Sequence, residues 1–427
     1  MRSFRGRRAV GCLFVVVLAF GLAVAPAVHG QERTLEVWDW WSPSVMGQAI
    51  TGWWEYAVER FEREHPGVKV EVRFLSGTTA LYDQLVAASA AGIAPDVTQI
   101  SVSFARDLYD AGLLLPLNTY VERTPELDQS QFFPFARLFN SKDGVIYAIP
   151  HNVDNNSLYY NIDAFNEAGL DSDPFAIDSW STFRDYADKL IRVSPTGEVL
   201  RAGYATSVGT LPFQNWLYTN GGNFYTATYD GVEFASPQGV EALEFLADMY
   251  ARGQRAPAGS GHVIASGRAA MALESGYGTR VLAEDPDANF GMTTLPPGPG
   301  SDRRAVTGWV NMIAIPSGSD SPDLAWEWVK YFTSLEGQLK FFEVYGRAGV
   351  PRYDFFETDA WSAFVRQYPF IETLPHLLNS AREYPFIKYR DINAALTPLF
   401  QRVTEGTLAP AAALEEGQRL VNVLFGR

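Results

Sequence analysis

Residues 144–170 read GVIYAIPHNVDNNSLYYNIDAFNEAGL and set a polar stretch between two apolar strand halves. Four of the six residues from His151 to Asn156 are asparagine or aspartate. A carboxylate such as that of Asp154 can accept two hydroxyl groups in charge-assisted hydrogen bonds. A solvated turn of asparagine and aspartate is the alternative interpretation of the same residues.

The chain before this stretch alternates between strand and helix patterns. Strands are predicted at Leu35–Trp41, Val68–Leu75 and Asp96–Val102, and helices at 50–64, 81–91 and 104–111. This β-α-β-α-β order predicts an α/β lobe with a mainly parallel sheet. Farther on, Ser236-Pro237 and Ser321-Pro322 each open a helix in the order of cap and then proline.

Composition excludes several classes of protein. The 427 residues include 49 acidic and 34 basic ones, a net charge of −15, and such an acidic chain is a poor nucleic-acid binder. The one cysteine is Cys12, so without the first thirty residues no disulfide, cysteine-ligated zinc or cysteine nucleophile is possible. The histidines after residue 30 lie far apart in sequence and form no zinc motif, and we predict no metal and no cofactor.

Residues 1–30 are typical of a secretory signal peptide. Four arginines precede an apolar run from Val10 to Val24, and small residues follow it up to Gly30. We expect cleavage near residues 27–30 and a periplasmic location, and an uncleaved membrane anchor is the alternative. No later segment reaches eighteen consecutive apolar residues.

Several motifs, in order along the chain, resemble the extracellular solute-binding proteins of the family 1 type. These are the sugar-binding subunits of ABC importers related to maltose-binding protein. The matching stretches are FEREHPGVKV at 61–70, AAGIAPDV at 90–97, GLLLPL at 112–117, residues 144–170, WSTF at 180–183, SGRAAM at 266–271 and WEWVKYFTS at 326–334.

The resemblance implies two α/β lobes, each a mainly parallel sheet flanked by helices, with a ligand cleft between them. Lobe one would comprise residues 31–152 plus 309–347, and lobe two residues 157–304 plus 352–427. The hinge crossings would lie near residues 153–156, 304–308 and 348–352. Closure of such a cleft can bury a solute completely.

Polar and aromatic residues that follow the predicted strands are candidate ligand contacts. They are Trp40, Trp41 and Ser42 after the first strand, Ser76 and Gly77 after the second, and Ser101 and Ser103 after the third. Indole rings suit the apolar C–H faces of a sugar, and hydroxyl groups suit its rim. Tryptophan is equally at home in a core, which is the alternative for these rings.

The resemblance supplies the remaining candidate contacts. Asp154 matches the acid that accepts sugar hydroxyls at the first crossing, and Asn155 follows it. Tyr277 stands where the family usually has tryptophan, and Arg347 departs from the family pattern at the third crossing. The other candidates are Trp216, Asn220, Trp309, Asn311 and Tyr389.

We therefore predict a non-catalytic, monomeric carrier of a neutral mono- or oligosaccharide that delivers its ligand to an ABC permease. The same fold could instead bind glycerol phosphate, a polyol or another small solute. A secreted glycan-active enzyme is a further alternative, because a glycoside hydrolase needs only two suitably placed carboxylates.

Overall fold

The computed structural model describes residues 33–276, 282, 285–345, 349–384 and 387–427. The strands are β1 Arg33–Asp39, β2 Val68–Phe74, β3 Val97–Ser101, β4 Ser141–Lys142, β5 Val145–Ile146, β6 Ala148–Asn155, β7 Ser157–Asn161, β8 Arg192–Val193, β9 Val199–Ala205, β10 Ala269–Glu274, β11 Phe290–Thr293, β12 Val306–Ala314 and β13 Ala381–Glu383. The helices are α1 Pro43–Met46, α2 Ala49–Glu64, α3 Thr78–Ala91, α4 Val102–Asp110, α5 Asn118–Glu122, α6 Ile162–Glu167, α7 Trp180–Leu190, α8 Thr210–Thr219, α9 Pro237–Ala251, α10 Pro322–Thr333, α11 Leu335–Tyr345, α12 Asp359–Gln367, α13 Leu374–Asn379, α14 Tyr389–Thr404 and α15 Pro410–Leu424.

The first sheet has the strand order β13-β12-β3-β1-β2, and β6 also pairs with β12. β1 runs parallel to β2 and β3, as the β-α-β-α-β pattern predicts, and pairs Val37 with Val72 and Val97. The long strand β12 runs antiparallel to β3 and β6. Apolar residues of β1, β3, β6 and β12 are buried, which explains their nearly continuous apolar sequences.

The second sheet has the order β11-β7-β10-β9-β8 and is mostly antiparallel. β9 and β10 are parallel, but β7 is antiparallel to β10 and β11, and β8 is antiparallel to β9. The prediction of a mainly parallel sheet is therefore wrong for this lobe. β7 follows β6 after the single residue Asn156. β7 runs in the direction opposite to β9 and β10.

Helices pack against both sheets and bury their apolar faces there. Trp53, Trp54 and Phe61 of α2 pack into the core of the first lobe, and Leu243, Leu246 and Met249 of α9 pack into that of the second. The cap that the sequence predicts for α9 is present, since Ser236 Oγ accepts a hydrogen bond from Gly239 N at 3.2 Å. In the part of the chain that the structure describes, no helix is long and apolar enough to cross a membrane.

The segment from 354 to 383 contacts both lobes. The ring of Phe355 lies 5.1 Å from that of Phe342, whereas the ring of Phe370 lies 4.3 Å from that of Phe290 beside the second sheet. β13 is an edge strand of the first sheet, paired with Val306–Gly308. The placement of all of 352–427 in lobe two is thus wrong for β13, and the other lobe boundaries stay predictions.

Candidate functional site

Two adjoining cavities lie between the end of β3 in the first lobe and helices of the second. The first has a volume of about 310 Å³ and is lined by Ser101, Val102, Ser103, Asn156, Leu211, Trp309 and Tyr384. The second, of about 330 Å³, is lined by Thr78, Thr79, Ser103, Phe104, Asp107, Lys388, Tyr389, Arg390 and Asp391. Ser103 lines both, and we call the two together the interlobe cleft.

Four helices begin at this cleft. Thr78 is the first residue of α3, Val102 of α4 and Tyr389 of α14, and Leu211 is the second of α8. The first N–H groups of a helix have no partner within it, so the starts of these helices supply donors near the cleft. Ser101 Oγ accepts one of them, from Ser103 N at 3.4 Å.

Three aromatic side chains form a row along the cleft. The ring of Tyr384 lies 5.8 Å from that of Trp309, edge to face, and 5.3 Å from that of Tyr389. All three residues are half-buried and so have part of their surface open to a ligand. Burial and a hydrogen bond with Tyr389 raise the pKa of the Tyr384 phenol, which therefore stays neutral and keeps its hydroxyl hydrogen for hydrogen bonding.

Asp154 fastens the strand β6 to the loop that follows β10. Its Oδ1 accepts hydrogen bonds from Asn155 N at 2.8 Å and from Gly276 N at 3.1 Å. Asp154 also lies directly across the β6–β12 ladder from Trp309, so the two side chains leave the same face. The carboxylate is 6% exposed. Asp154 thus joins β6 to the loop after β10 on the face of the sheet that also carries Trp309.

The chain segments near the predicted crossings lie side by side. Asn156 N donates to Thr307 O at 2.8 Å, and Asn156 Nδ2 donates to Thr307 Oγ1 at 3.2 Å. Gly349 O accepts from Val153 N at 2.9 Å and from Asn152 Nδ2 at 3.0 Å. Backbone of all three predicted crossings thus lies together between the two sheets.

The structure brings four predicted ligand residues together in the cleft: Ser101, Ser103, Trp309 and Tyr389. Gly77, with φ +133°, caps α3 beside the cleft residue Thr78. Ser76 is exposed, Trp40 is half-buried with its ring edge-on to Trp41, and Ser42 is buried at the start of α1.

Three predicted ligand residues belong to the interior instead. Trp41 is 1% exposed and stacks on Phe341 at 5.5 Å, and Trp216 is fully buried among the aromatic rings of the second lobe. Asn220 Nδ2 donates to Gln238 O and to Glu241 Oε2. Packing partners or internal hydrogen bonds already occupy the side chains of Trp41, Trp216 and Asn220, so their direct contact with a ligand in this conformation is not supported.

Two further predicted residues are buried amides within the first sheet, on the neighbouring strands β6 and β12. Asn155 Oδ1 accepts from Ser157 Oγ at 2.6 Å, and Asn311 Nδ2 lies 3.5 Å from Asn152 Oδ1. Both residues are 3% exposed or less, so their direct contact with a ligand in this conformation is not supported. The remaining two predictions, Tyr277 and Arg347, lie outside the described residues.

The sequence interpretation missed Tyr384, Asn156 and Leu211 as cleft residues. Asn156 belongs to the polar stretch His151–Asn156, and its position in that stretch was a usable signal. Tyr384 follows an edge strand of three residues, and Leu211 is one leucine among many, so neither carries a local signal. Their place in the cleft depends on how β13 and α8 pack.

The charges along the cleft are mixed. Lys388 and Arg390, at the cap and first turn of α14, line the cleft together with Asp391 of the same turn and Asp107 of α4. Among the residues that the structure describes, no group of three or more histidine, cysteine, aspartate or glutamate side chains could hold a metal ion. The cleft therefore offers hydroxyls, amides, aromatic rings and balanced charge to a ligand.

Comparison with known proteins identifies the family. The family model of bacterial extracellular solute-binding proteins matches residues 47–339. The sn-glycerol-3-phosphate-binding periplasmic protein UgpB of Escherichia coli (strain K12) is 26% identical over 294 residues. That alignment spans 65% of this chain and 65% of the length of UgpB.

Solved structures agree over most of the chain. An ABC transporter solute-binding protein from Thermotoga lettingae TMO, bound with α-D-tagatose, is 25% identical with a TM-score of 0.70 and covers 92% of this chain and 100% of its own. The sugar-binding protein MalE of Xanthomonas citri, 22% identical, has a TM-score of 0.78 and covers 92% and 97%. The predicted two-lobed fold is thus confirmed, and the chain belongs to the family of bacterial extracellular solute-binding proteins.

Proposed function

We propose that this protein captures a neutral mono- or oligosaccharide in the interlobe cleft and releases it unaltered to the permease of an ABC importer. The observation that carries the proposal is the row of Trp309, Tyr384 and Tyr389 beside the hydroxyls of Ser101 and Ser103. A sugar ring presents apolar C–H faces and a rim of hydroxyl groups. Aromatic plates bind the faces, and hydroxyl, amide and backbone N–H groups bind the rim.

Binding would favour closure because only the closed state makes both sets of contacts. Ser101 and Ser103 belong to the first lobe, whereas Leu211 and Tyr389 belong to helices of the second. A ligand that touches both walls has differential affinity for the closed state and shifts the population toward it. The adjacent backbone at Asn156–Thr307 and Val153–Gly349 is where the bend would occur.

Export and delivery complete the proposal. The sequence of residues 1–30 has the pattern of a cleaved signal peptide and supports a periplasmic location. The relatives named above are described as periplasmic or as parts of ABC transporters. We propose that the protein acts as a monomer that hands its ligand to the membrane subunits and has no catalytic role.

A phosphorylated solute such as glycerol phosphate is a second candidate ligand. It is favoured by Lys388 and Arg390 in the cleft wall, next to the N-terminal turns of α3 and α14. A relative with 26% identity is named for binding sn-glycerol 3-phosphate. Asp107 and Asp391 oppose a phosphate in the same cavity, which is why we place the neutral sugar first.

A thermal-shift screen against mono-, di- and trisaccharides, polyols and glycerol 3-phosphate tests the proposal. A ligand present at about 100 times its dissociation constant stabilises the folded state by about 2.7 kcal/mol and raises the melting temperature. We expect a shift with at least one neutral sugar, and recovery of that sugar intact after incubation. A shift only with glycerol 3-phosphate, abolished by Lys388→Gln, would replace the first candidate by the second. Cleavage of the sugar would indicate an enzyme.

Asp154→Ala is expected to weaken binding of that sugar about tenfold, or about 1.4 kcal/mol. The change removes the acceptor for Gly276 N, so the loop after β10 loses its hydrogen bond to β6, the strand that contains residue 154. Asp154→Asn keeps one side-chain oxygen for that bond and should lose less. Isothermal titration calorimetry measures both, with Asp185→Ala on the exposed face of α7 as the control. Equal affinity in Asp154→Ala and the control would contradict the role of this carboxylate.

A further inference from the structure

A tight turn of the second lobe, residues 226–231, is closed by an isolated bridge between Tyr225 and Val232. Thr226 N donates to Gly231 O at 3.0 Å. The hydroxyls of Thr226 and Thr228 each donate to Asp230 Oδ1 at 2.7 Å. These two hydroxyls hold the pKa of Asp230 at about 2, so its carboxylate is charged at any physiological pH. We call residues 226–231 the strap.

The strap is anchored to the second lobe by the C-terminal end of the chain. Asn422 Oδ1 accepts from Val232 N at 2.8 Å, and Asn422 Nδ2 donates to Val232 O at 3.3 Å. Arg427 forms an ion pair with Asp230. The base of the strap therefore moves with α15 and with the core of the second lobe.

The tip of the strap reaches the first lobe. Arg106 Nη1 of α4 donates to Thr228 O at 2.6 Å, a charge-assisted hydrogen bond of the stronger kind. The ring of Tyr229 lies 5.3 Å from that of Phe139, edge to face, and Tyr229 packs against the cores of both lobes. Both contacts join the two lobes, and we expect them to break when the lobes separate.

Tyr229 has a backbone conformation that non-glycine residues rarely adopt. Its φ is +56°, and such a left-handed tyrosine persists only where surrounding contacts hold it in place. Here the hydrogen bond from Tyr229 N to Thr226 O, at 2.9 Å, and the packing on Phe139 supply those contacts. The strained residue is the one that enters the first lobe.

The helix that receives the strap is also a wall of the cleft. Ser103, Phe104 and Asp107 of α4 line the interlobe cleft, and Arg106 leaves the adjacent face of the same helix toward Thr228. A ligand that fixes α4 against the second lobe therefore also fixes Arg106 in reach of the strap. Ligand contact and strap contact favour the same position of α4.

We propose that the strap is a latch that stabilises the closed state through Arg106 and Phe139, outside the ligand-contacting surface. This inference rests on the proposed function in so far as the two lobes open and close. If the latch contacts form only when the lobes are closed, as the proposal requires, they shift the open–closed equilibrium without any ligand. Weakening them lowers affinity by lowering the population that is competent to hold the ligand.

Distances between spin labels on the two lobes test the latch in the absence of any ligand. In the full chain with Cys12→Ser, the changes Glu59→Cys on α2 and Glu244→Cys on α9 provide the only thiols, both at exposed positions. We expect the unlatched variants Arg106→Ala and Tyr229→Gly to reduce the ratio of the short to the long distance component by about fivefold or more. Glycine adopts the left-handed conformation of residue 229 without strain.

The matched control is Arg123→Ala, because Arg123 Nε donates to the carbonyl of Thr119 within the first lobe alone. It should leave the distance distribution unchanged, and circular dichroism verifies that every variant is folded. A parent protein without a short component, or an equal short component in all variants, overturns the latch. Since no solute is added, either result is independent of whether the cleft binds a sugar.

Discussion

Asp39→Asn is expected to raise the free energy of unfolding at pH 8 by about 3–4 kcal/mol. Asp39 ends β1 and is fully buried, and its Oδ1 accepts from Trp41 N at 2.6 Å. Its Oδ2 has no hydrogen-bond partner within the described part of the chain. Burial raises the pKa of Asp39 from 3.8 to about 7, despite the backbone hydrogen bonds. Above pH 7 the wild-type protein must keep an incompletely paired charge in its core, and asparagine removes that charge.

The pH dependence follows from the direction of this shift. Between about pH 4 and pH 7 the folded state holds a proton on Asp39 that the unfolded state has lost. The contribution of Asp39 to stability therefore falls as the pH rises through this range, by about 1.4 kcal/mol per pH unit. The stabilisation by Asp39→Asn should accordingly vanish near pH 4.

His151 has the opposite effect on the pH dependence of stability, and it lies in the same hydrophobic core as Asp39. Gln99 Nε2 lies 2.8 Å from His151 Nε2, which suits a neutral imidazole, and the Trp41 ring lies 4.9 Å away. Burial lowers the pKa of His151 from 6.5 to about 3. Between those values the unfolded state binds a proton that the folded state does not, so the contribution of His151 falls as the pH falls.

The two slopes should cancel between about pH 4 and pH 6.5, and the wild-type stability should be nearly flat there. Asp39→Asn should reveal the His151 slope, and His151→Gln the Asp39 slope of opposite sign. Urea unfolding at pH 4.5, 5.5, 6.5 and 8 measures the profiles, with Asp83→Asn on the exposed surface of α3 as the control. Equal stability of wild type and Asp39→Asn at pH 8 would show that the carboxylate is solvated.

Tyr384→Ala and Trp309→Ala are each expected to weaken binding of the sugar identified by the thermal-shift screen about thirtyfold, or about 2 kcal/mol. Each change removes one plate of the aromatic row and leaves a gap beside the other, since the two rings lie 5.8 Å apart. An alanine exposes the sugar face to water and also frees the neighbouring ring. The loss should therefore exceed that of a single hydrogen bond.

A conservative variant at Tyr384 and a variant far from the cleft distinguish the loss of ring stacking from a general loss of folding. Tyr384→Phe keeps the ring and loses the hydroxyl group, so its affinity should fall by only about threefold if ring contact dominates. Tyr120→Ala removes a tyrosine that contacts Trp326 away from the cleft, and it should leave affinity unchanged. Titration calorimetry on folded variants decides the matter. If Tyr384→Ala binds the sugar with wild-type affinity, the aromatic row is not part of the binding site.

Local pattern in the sequence was sufficient for the elements of the first lobe. The alternation in VKVEVRFL predicts the strand observed at Val68–Phe74, and the apolar steps from Ile50 to Phe61 predict the helix observed at Ala49–Glu64. These signals depend on residues two to four positions apart. The order of the elements and the family motifs then predicted the two-lobed fold, which the comparisons confirm.

The lining of the cleft could be predicted only in part. Ser101 ends β3, whose end faces the cleft, and strand order alone indicates such a position. Trp309 lies within β12 and was predicted only from the family resemblance. Trp41 has the same residue type and an equivalent strand-end position, yet it stacks on Phe341, three hundred residues away in sequence. No local signal distinguishes an indole that covers a ligand from one that fills a core.

The sequence by itself determined the period and the order of the first strands and helices, the starts of two later helices, and the polar stretch at His151–Asn156. Only the tertiary structure decided that Tyr384 stands beside Trp309, that Trp216 is interior, and that Arg106 meets Thr228 across the two lobes. The physical reason is the range of the interactions. Secondary structure depends on near neighbours along the chain, whereas a cleft and its latch depend on contacts between residues brought together by the packing of whole lobes.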